Sequence, residues 1–280
     1  MFLAPTLIGV ALVSGVPLIY SLVISFQDKA LDNPVTRFVG IQNYATILSD
    51  PKTWDSIWLS TVFTVVSVAA SFVLGLIAAI LLNGPMPGRG LLRAMLIIPW
   101  AVPAFVAALT WSWMFNDQFG IINELLKVVG FAQPPVWLDA EHAMGSLILV
   151  MTWKSFPFQM VLLLAGLQAI SPEVYEAARI DGASAWQRFR LITLPLLQPI
   201  SVISVLMAAI NAFQFFPIPW ILTAGGPAGA TNVISITTYN VAFQSGQVSL
   251  GATLAMVMFL ITIVAGAFYL WRYIRQVGSL

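Results

Sequence analysis

No formally charged residue lies between Arg190 and Arg272. A soluble domain carries charge on about a quarter of its residues, because its surface faces water. A charge-free run of about 20 residues or more is what a hydrocarbon core some 30 Å thick asks of an α-helix. The rest of the chain agrees: 59% of its 280 residues are hydrophobic and 8% are charged. This composition implies an all-α, polytopic membrane protein. The net charge of +1 comes from scattered basic residues, so nothing suggests a nucleic-acid partner. The absence of Cys excludes disulfides and thiolate metal sites, and a lone histidine, His142, cannot build a His-based metal centre or triad.

Charge-free stretches predict six transmembrane helices. They fall near Phe2–Phe26, Ser56–Asn83, Leu91–Phe115, Ala143–Ile170, Leu196–Leu222 and Leu250–Tyr273. The first begins without a basic residue ahead of it and shows no small-residue cleavage site, so it reads as a span rather than a signal peptide. Ser67, Ser71 and Gly75 supply small residues for close packing in the second. The third contains Pro99 and Pro103, which bend helices and free carbonyls. The tract "NGPMPG" (83–88) is a tight turn, and only "FFPIPW" (215–220) and "TAGGPAGA" (223–230) separate the last two spans.

Orientation follows the excess of basic residues on the cytoplasmic side. With the N-terminus inside, the inner segments hold Arg89, Arg93, Arg179, Arg188, Arg190, Arg272 and Arg275. The outer loops then hold Lys29, Arg37, Lys52 and Lys127, diluted by eight carboxylates from Asp28 to Glu141. Both termini are therefore expected in the cytoplasm. In the outer loop 116–141, Ile121, Ile122, Leu125 and Val129 share one helical face. Two readings fit that face: a short interfacial helix resting on the bundle, or a docking surface for an external partner.

One polar island stands out: "EVYEAARIDGASAWQRFRLITLPLLQP", residues 173–199. Ser171 is placed to cap a helix, with Pro172 in its first position and Glu173 and Glu176 near its positive end. Gly182 is placed to stop that helix. Ser184 and Gln187 form an S-x-x-Q capping box for a second helix, which Pro195 is expected to end before the fifth span. Ala177 and Ala178 carry little bulk, so another body can come close. Glu176, Arg179, Asp181 and Arg188 surround that approach. A hairpin lying on lipid headgroups explains the Arg and Trp residues, whereas a partner-docking handle explains the two separate caps and the alanine pair.

The spacing "EAA" (176–178), three residues, Gly182, nine residues and "ITLP" (192–195) resembles the EAA loop of bacterial ABC importer permeases. The likeness extends through "WKSFPFQMVLLLAGLQAISPEVYEAARIDGAS" (153–184), "LTAGGP" (222–227), "FVGIQNY" (38–44) and "IIPWAVP" (97–103), in particular to the MalF-type subunits of carbohydrate importers. The large periplasmic insertion of the enterobacterial maltose subunit has no counterpart here. The resemblance implies the ABC type I importer permease fold in one domain, residues 1–280, in a bacterial or archaeal cytoplasmic membrane. It makes 171–195 the cytoplasmic coupling segment, with Glu176, Ala177, Ala178, Arg179, Asp181 and Gly182 seated in an ATPase subunit. It implies as partners a second homologous permease, a cytoplasmic ATPase dimer and an extracytoplasmic sugar-binding protein, besides the lipid bilayer. ATP and Mg would sit on the ATPase subunits: this chain has no GxxxxGK[ST], and "AGGPAG" (224–229) lacks the Lys. No cofactor or metal is expected on this chain, and it is not expected to be an enzyme.

Polar groups inside spans cost free energy and generally face the bundle interior or a wet cavity. Lys154 is the only charge well inside one, and it either snorkels or pairs with a neighbour, or lines a pathway with Trp153, Ser155 and Gln159. Asn211 and Gln214 share a helix face, with Ser204 seven residues before Asn211 and Phe213, Phe215 and Phe216 around them. These groups either fasten helices together or bind substrate hydroxyls near the midplane. The resemblance places substrate contact on these two spans, at Ser155, Asn211 and Gln214. The expected cargo is a sugar, a di- or oligosaccharide, with a polyol or glycerol phosphate as the alternative. A secondary transporter would carry midplane carboxylates, which the spans lack, and an intramembrane protease would need an Asp pair or HExxH.

Overall fold

The computed structural model describes residues 4–32 and 36–277. The first span is α1 (Pro5–Ser25); the expected start at Phe2 lies outside the described residues. A two-residue ribbon, β1 (Gln27–Asp28) antiparallel to β2 (Arg37–Phe38), leads to α2 (Gln42–Ser49). The Asn43 amide donates to the Ser25 and Gln27 carbonyls at 2.9 and 2.7 Å and ties α2 to the end of α1. The second span, α3 (Pro51–Asn83), starts ahead of the expected Ser56. Asp50 caps it, accepting from the Lys52 N–H at 3.0 Å, and Pro51 takes the first position where no N–H is missed.

The third span differs from the expected single helix. It is α4 (Arg89–Ala101) and α5 (Ala104–Met114), bent by 95° at the break. Val102 and Pro103 between them are extended, with ψ of 131° and 140°. Proline disfavours the helical region for the residue before it, and Val102 ahead of Pro103 is accordingly extended. At 1.5 Å per residue neither limb is long enough to cross the hydrocarbon core alone.

Beyond the loop helix α6 (Ile121–Val128) comes the fourth span, α7 (Ala143–Gln168). Of the expected apolar face, Ile121 and Leu125 in α6 and Val129 just after it are exposed, whereas Ile122 packs against the core. Asn123 adds a polar tie, its side-chain oxygen accepting from the Trp137 indole at 2.7 Å. Asp139 prepares the start of α7. One of its oxygens accepts the N–H groups of Glu141 and His142 at 3.0 and 2.8 Å and meets the His142 ring at 2.9 Å. The His142 backbone bond, then its ring, hold the Asp139 carboxyl below its ordinary pKa. A lowered folded-state pKa contributes stability above the unfolded value and loses it as pH falls through the lowered one. Melting of the detergent-solubilised protein from neutral pH to below pH ~4 is expected to show a shallower acid limb in Asp139→Asn than in wild type. Identical limbs would remove this role.

After the short helix α8 (Pro172–Ile180), the chain is helical without interruption through Ala185–Arg188, a π-helical turn Phe189–Thr193 and Leu194–Phe213, together α9. The expected break at Pro195 is absent. Proline lacks an N–H and crowds the carbonyl of the preceding turn; the wider π turn upstream accommodates both. Gln214–Phe216 then interrupts the fifth span before α10 (Pro217–Leu222).

The stretch between the last two spans is also more than punctuation. Helix α10 packs on α5, and α11 (Ile234–Tyr239), continuing as a π turn over Asn240–Gln244, packs on α3 and on α12 (Val248–Val277). Ile218, Ile234 and Ile236 are fully buried. The Ser60 hydroxyl accepts the Ile234 N–H at 2.7 Å, and Ser56 meets Thr237 at 2.7 Å, which pins α11 to α3. At the centre, α3 lies along α7, with α9 against both. Ser67, Ser71 and Gly75 are buried as expected, and Gly75 meets the backbone of Gln159 and Met160.

Candidate functional site

The 171–195 segment is built by local rules. Ser171 occupies the cap of α8, although its hydroxyl donates to the Glu173 carboxylate at 3.0 Å rather than accepting a backbone N–H. Gly182 ends the helix in the left-handed region, φ +79°. The Gly182 N–H reaches the Arg179 carbonyl at 3.1 Å and the Ala183 N–H the Ala178 carbonyl at 2.9 Å, a Schellman closure. The capping box is complete: the Ser184 N–H donates to the Gln187 side chain at 2.7 Å, and the Gln187 N–H to the Ser184 hydroxyl at 3.3 Å. The Arg188 guanidinium closes the turn by donating to the Ala183 carbonyl at 2.6 Å. Tyr175 and Thr193, hydroxyl to hydroxyl at 3.1 Å, bind α8 to α9.

The alanine pair divides. Ala178 is buried against the stem, whereas Glu176, Ala177, Arg179, Asp181 and Gly182 are exposed. Ile180 stands 87% exposed beside them. Among the described residues no ion pair engages Glu176, Arg179 or Asp181. A rigid, doubly capped knob therefore presents free charges around an apolar tip, and a cavity of about 600 Å³ opens at its root between Asn83, Tyr175 and Arg188.

A second cavity, about 310 Å³, lies where α4, α7 and α9 meet. Lys154, Ser155 and Asn211 line it together with Trp100, Phe158 and Phe215. Gln214 lies in an adjoining cleft with Asn211, Phe216 and Pro217, and its amide faces the Thr262 hydroxyl at 3.4 Å. Asn211 is exposed and has no side-chain hydrogen-bond partner among the described residues. Trp153 and Ser204 do not line the cavity. Trp153 packs edge-on against Trp111 at 5.5 Å. Ser204 is fully buried; its hydroxyl donates to the Ser201 carbonyl at 3.0 Å and its own carbonyl accepts the Gln159 amide at 3.2 Å, so it fastens α9 to α7. The Lys154 ammonium donates to the Val102 carbonyl at 2.7 Å. The aromatic wall, Trp100 stacked on Phe158 at 6.4 Å, was not anticipated. Its signal was present in the position of Trp100 beside Pro99 and of Phe158 one helical turn after Lys154.

Residues 71–276 match the model of the family described as the binding-protein-dependent transport system inner membrane component. The chain belongs to that family. It is a multi-span permease subunit of an ABC importer. The permease is 38% identical over 264 residues to the trehalose/maltose transport system permease protein MalF of Thermococcus litoralis, covering 94% of this chain and 89% of the relative. It is 34% identical to the sulfoquinovosyl glycerol transport system permease protein SmoG of Agrobacterium fabrum, covering 98% of this chain and 89% of the relative. A crystal structure of a bacterial ABC transporter that imports the polysaccharide alginate superposes with a TM-score of 0.84, over 98% of the permease and 94% of that chain, at 20% identity, a likeness of fold. The family match takes in both the 171–195 segment and every residue of the aromatic-walled cavity.

Proposed function

We propose that the permease carries a sugar, a di- or oligosaccharide, across the membrane by alternating access. An extracytoplasmic binding protein delivers it, ATP hydrolysis on a cytoplasmic ATPase dimer drives it, and a second homologous permease completes the path. The observation that carries this reading is the exposed knob at Glu176–Gly182, rigidly capped and with its charges unmatched. ATP binding biases a two-state bundle only through a contact that differs between the states, and a stiff handle is what such a contact needs. The relatives named for trehalose/maltose, sulfoquinovosyl glycerol and trehalose transport support a sugar as cargo. So does an amide and a hydroxyl set among aromatic faces, at Asn211, Ser155, Trp100 and Phe158. Asn211 and Gln214 are exposed at the edge of this chain, which fits a second permease closing the cavity. The Lys154 ammonium is engaged by backbone, so it gives no support to glycerol phosphate over a neutral sugar.

The orientation with both termini in the cytoplasm places Glu176–Gly182 inside with the ATPase. The Arg275 guanidinium over the Trp271 ring, 4.4 Å from its centre, suits the inner interface.

The reading is tested by reconstituting the permease with its partner subunits in liposomes and measuring ATP-dependent uptake of labelled disaccharides. Absence of uptake with every loaded sugar-binding protein would overturn it. Asn211→Ala is expected to lower uptake roughly tenfold, the weight of one unmade hydrogen bond, with assembly intact. Failure of assembly would instead make Asn211 a packing residue.

A further inference from the structure

The break between α4 and α5 creates a specific deficit. A helix leaves its last turn of carbonyls without intrahelical donors. Here the Ile98 carbonyl is served, by the Val102 N–H at 3.1 Å. The Pro99 carbonyl would be served by residue 103, and Pro103 has no N–H. The Trp100 carbonyl would be served by Ala104, which after the 95° bend starts the next limb. The Val102 carbonyl lies in the extended link itself. In water such groups find solvent; inside a bilayer each unmet carbonyl is costly.

One side chain answers this deficit. Lys154 crosses from α7, and its Nζ lies 2.7 Å from the Val102 carbonyl and 3.5 Å from those of Pro99 and Trp100. An ammonium has one N–H for each of these acceptors and puts positive charge at the negative end of a helix. Among the described residues no carboxylate pairs with it, so carbonyls alone balance the charge. An internal comparison sharpens the point. Pro195 and Pro199 have the same i, i+4 spacing as Pro99 and Pro103, yet α9 runs through them. Proline spacing alone does not fold the chain through 95°; a cation from the neighbouring helix accompanies the pair that breaks.

We propose that Lys154 is a positioning residue that caps the broken helix from α7 and fixes the angle of the bend. In doing so it holds Trp100 against Phe158 at the wall of the cavity. The role lies in the architecture of the pathway and does not depend on which substrate passes.

The chain contains no cysteine, so spin labels at Leu91→Cys and Trp113→Cys, exposed sites on the two limbs, report the bend in the assembled importer in nanodiscs. Lys154→Met is expected to broaden or shift the distance between them and to lower uptake about tenfold, as loss of a charged hydrogen bond does. Lys154→Arg should keep the wild-type distance and part of the uptake. Pro103→Ala returns an N–H for the Pro99 carbonyl, so the loss caused by Lys154→Met should be smaller in that background. An unchanged distance in Lys154→Met, with or without lower uptake, overturns the proposal, as does strict additivity of the two substitutions. If Lys154→Met does not assemble, recovery of assembled protein in the Pro103→Ala background supports the proposal and continued absence overturns it. The distance measurement needs no cargo, so its outcome is separate from that of the sugar reading.

Discussion

Gly182→Val is expected to leave the spans folded and to reduce ATP-driven uptake more than tenfold. The residue holds φ +79°, and a Cβ there would meet no atom within 4 Å, so the effect is one of backbone alone. A left-handed conformation costs an L-residue roughly 1–2 kcal/mol, and more with a branched Cβ. That is enough to undo two Schellman bonds on an exposed turn, and with them the fixed relation between α8 and the capping box at Ser184. Asn tolerates the left-handed region better, so Gly182→Asn should retain more uptake than the valine variant. Loss should appear as ATPase activity no longer stimulated by loaded binding protein, while the permease elutes normally in detergent. Wild-type uptake by Gly182→Val would sink the assignment of this turn to coupling.

The largest expected effect on folding is at Gly75. There α3 and α7 approach so closely that even a Cβ would overlap the Gln159 Cβ and the Met160 backbone nitrogen. The backbone nitrogen cannot swing aside as the end of a flexible side chain would. Overpacking of a buried contact costs about 1–3 kcal/mol, and a leucine here forces apart the two central helices. Gly75→Leu should yield no monodisperse permease in detergent, and Gly75→Ala a clear fall in melting temperature. Gly145→Ala is the control: it lies in the same pair, in α7, with open space around it, and alanine is the better helix former by about 1 kcal/mol. Equal behaviour of Gly75→Ala and Gly145→Ala would show that the close approach does not limit stability.

What could be read in the sequence was local. The capping box at Ser184 and Gln187 and the stop at Gly182 depend on residues within one turn, and both formed as read. So did the buried face of Ser67, Ser71 and Gly75, whose spacing survives in any helix. The proline pairs could not be read that way. Pro99 with Pro103 and Pro195 with Pro199 are the same local pattern, and what differs is their surroundings: an ammonium reaching across from α7 in one case, a π turn just upstream in the same helix in the other. The cavity was half legible for a related reason. Asn211 and Ser204 share a helix face, but they lie two turns apart in depth. At Ser204 that face is closed by Gln159, and at Asn211 it opens. Trp153 was misplaced because adjacent helical residues diverge by about 100°. The two short helices α10 and α11 escaped because the Pro and Gly tracts at 215–230 mark a break in the charge-free sequence without showing that the chain there turns back into its own bundle.

The unbroken course of α9 has a mechanical consequence. From Ala185 to Phe213 it runs about 40 Å at 1.5 Å per residue, with no break in the helix between its ends. Its first turn carries the capping box of the knob; its last turn carries Asn211. A flexible joint at Pro195 would have let one end move while the other stayed still. Without that joint the capping-box end and the cavity end belong to one helix, so a tilt or rotation of the first is expected to reach the second.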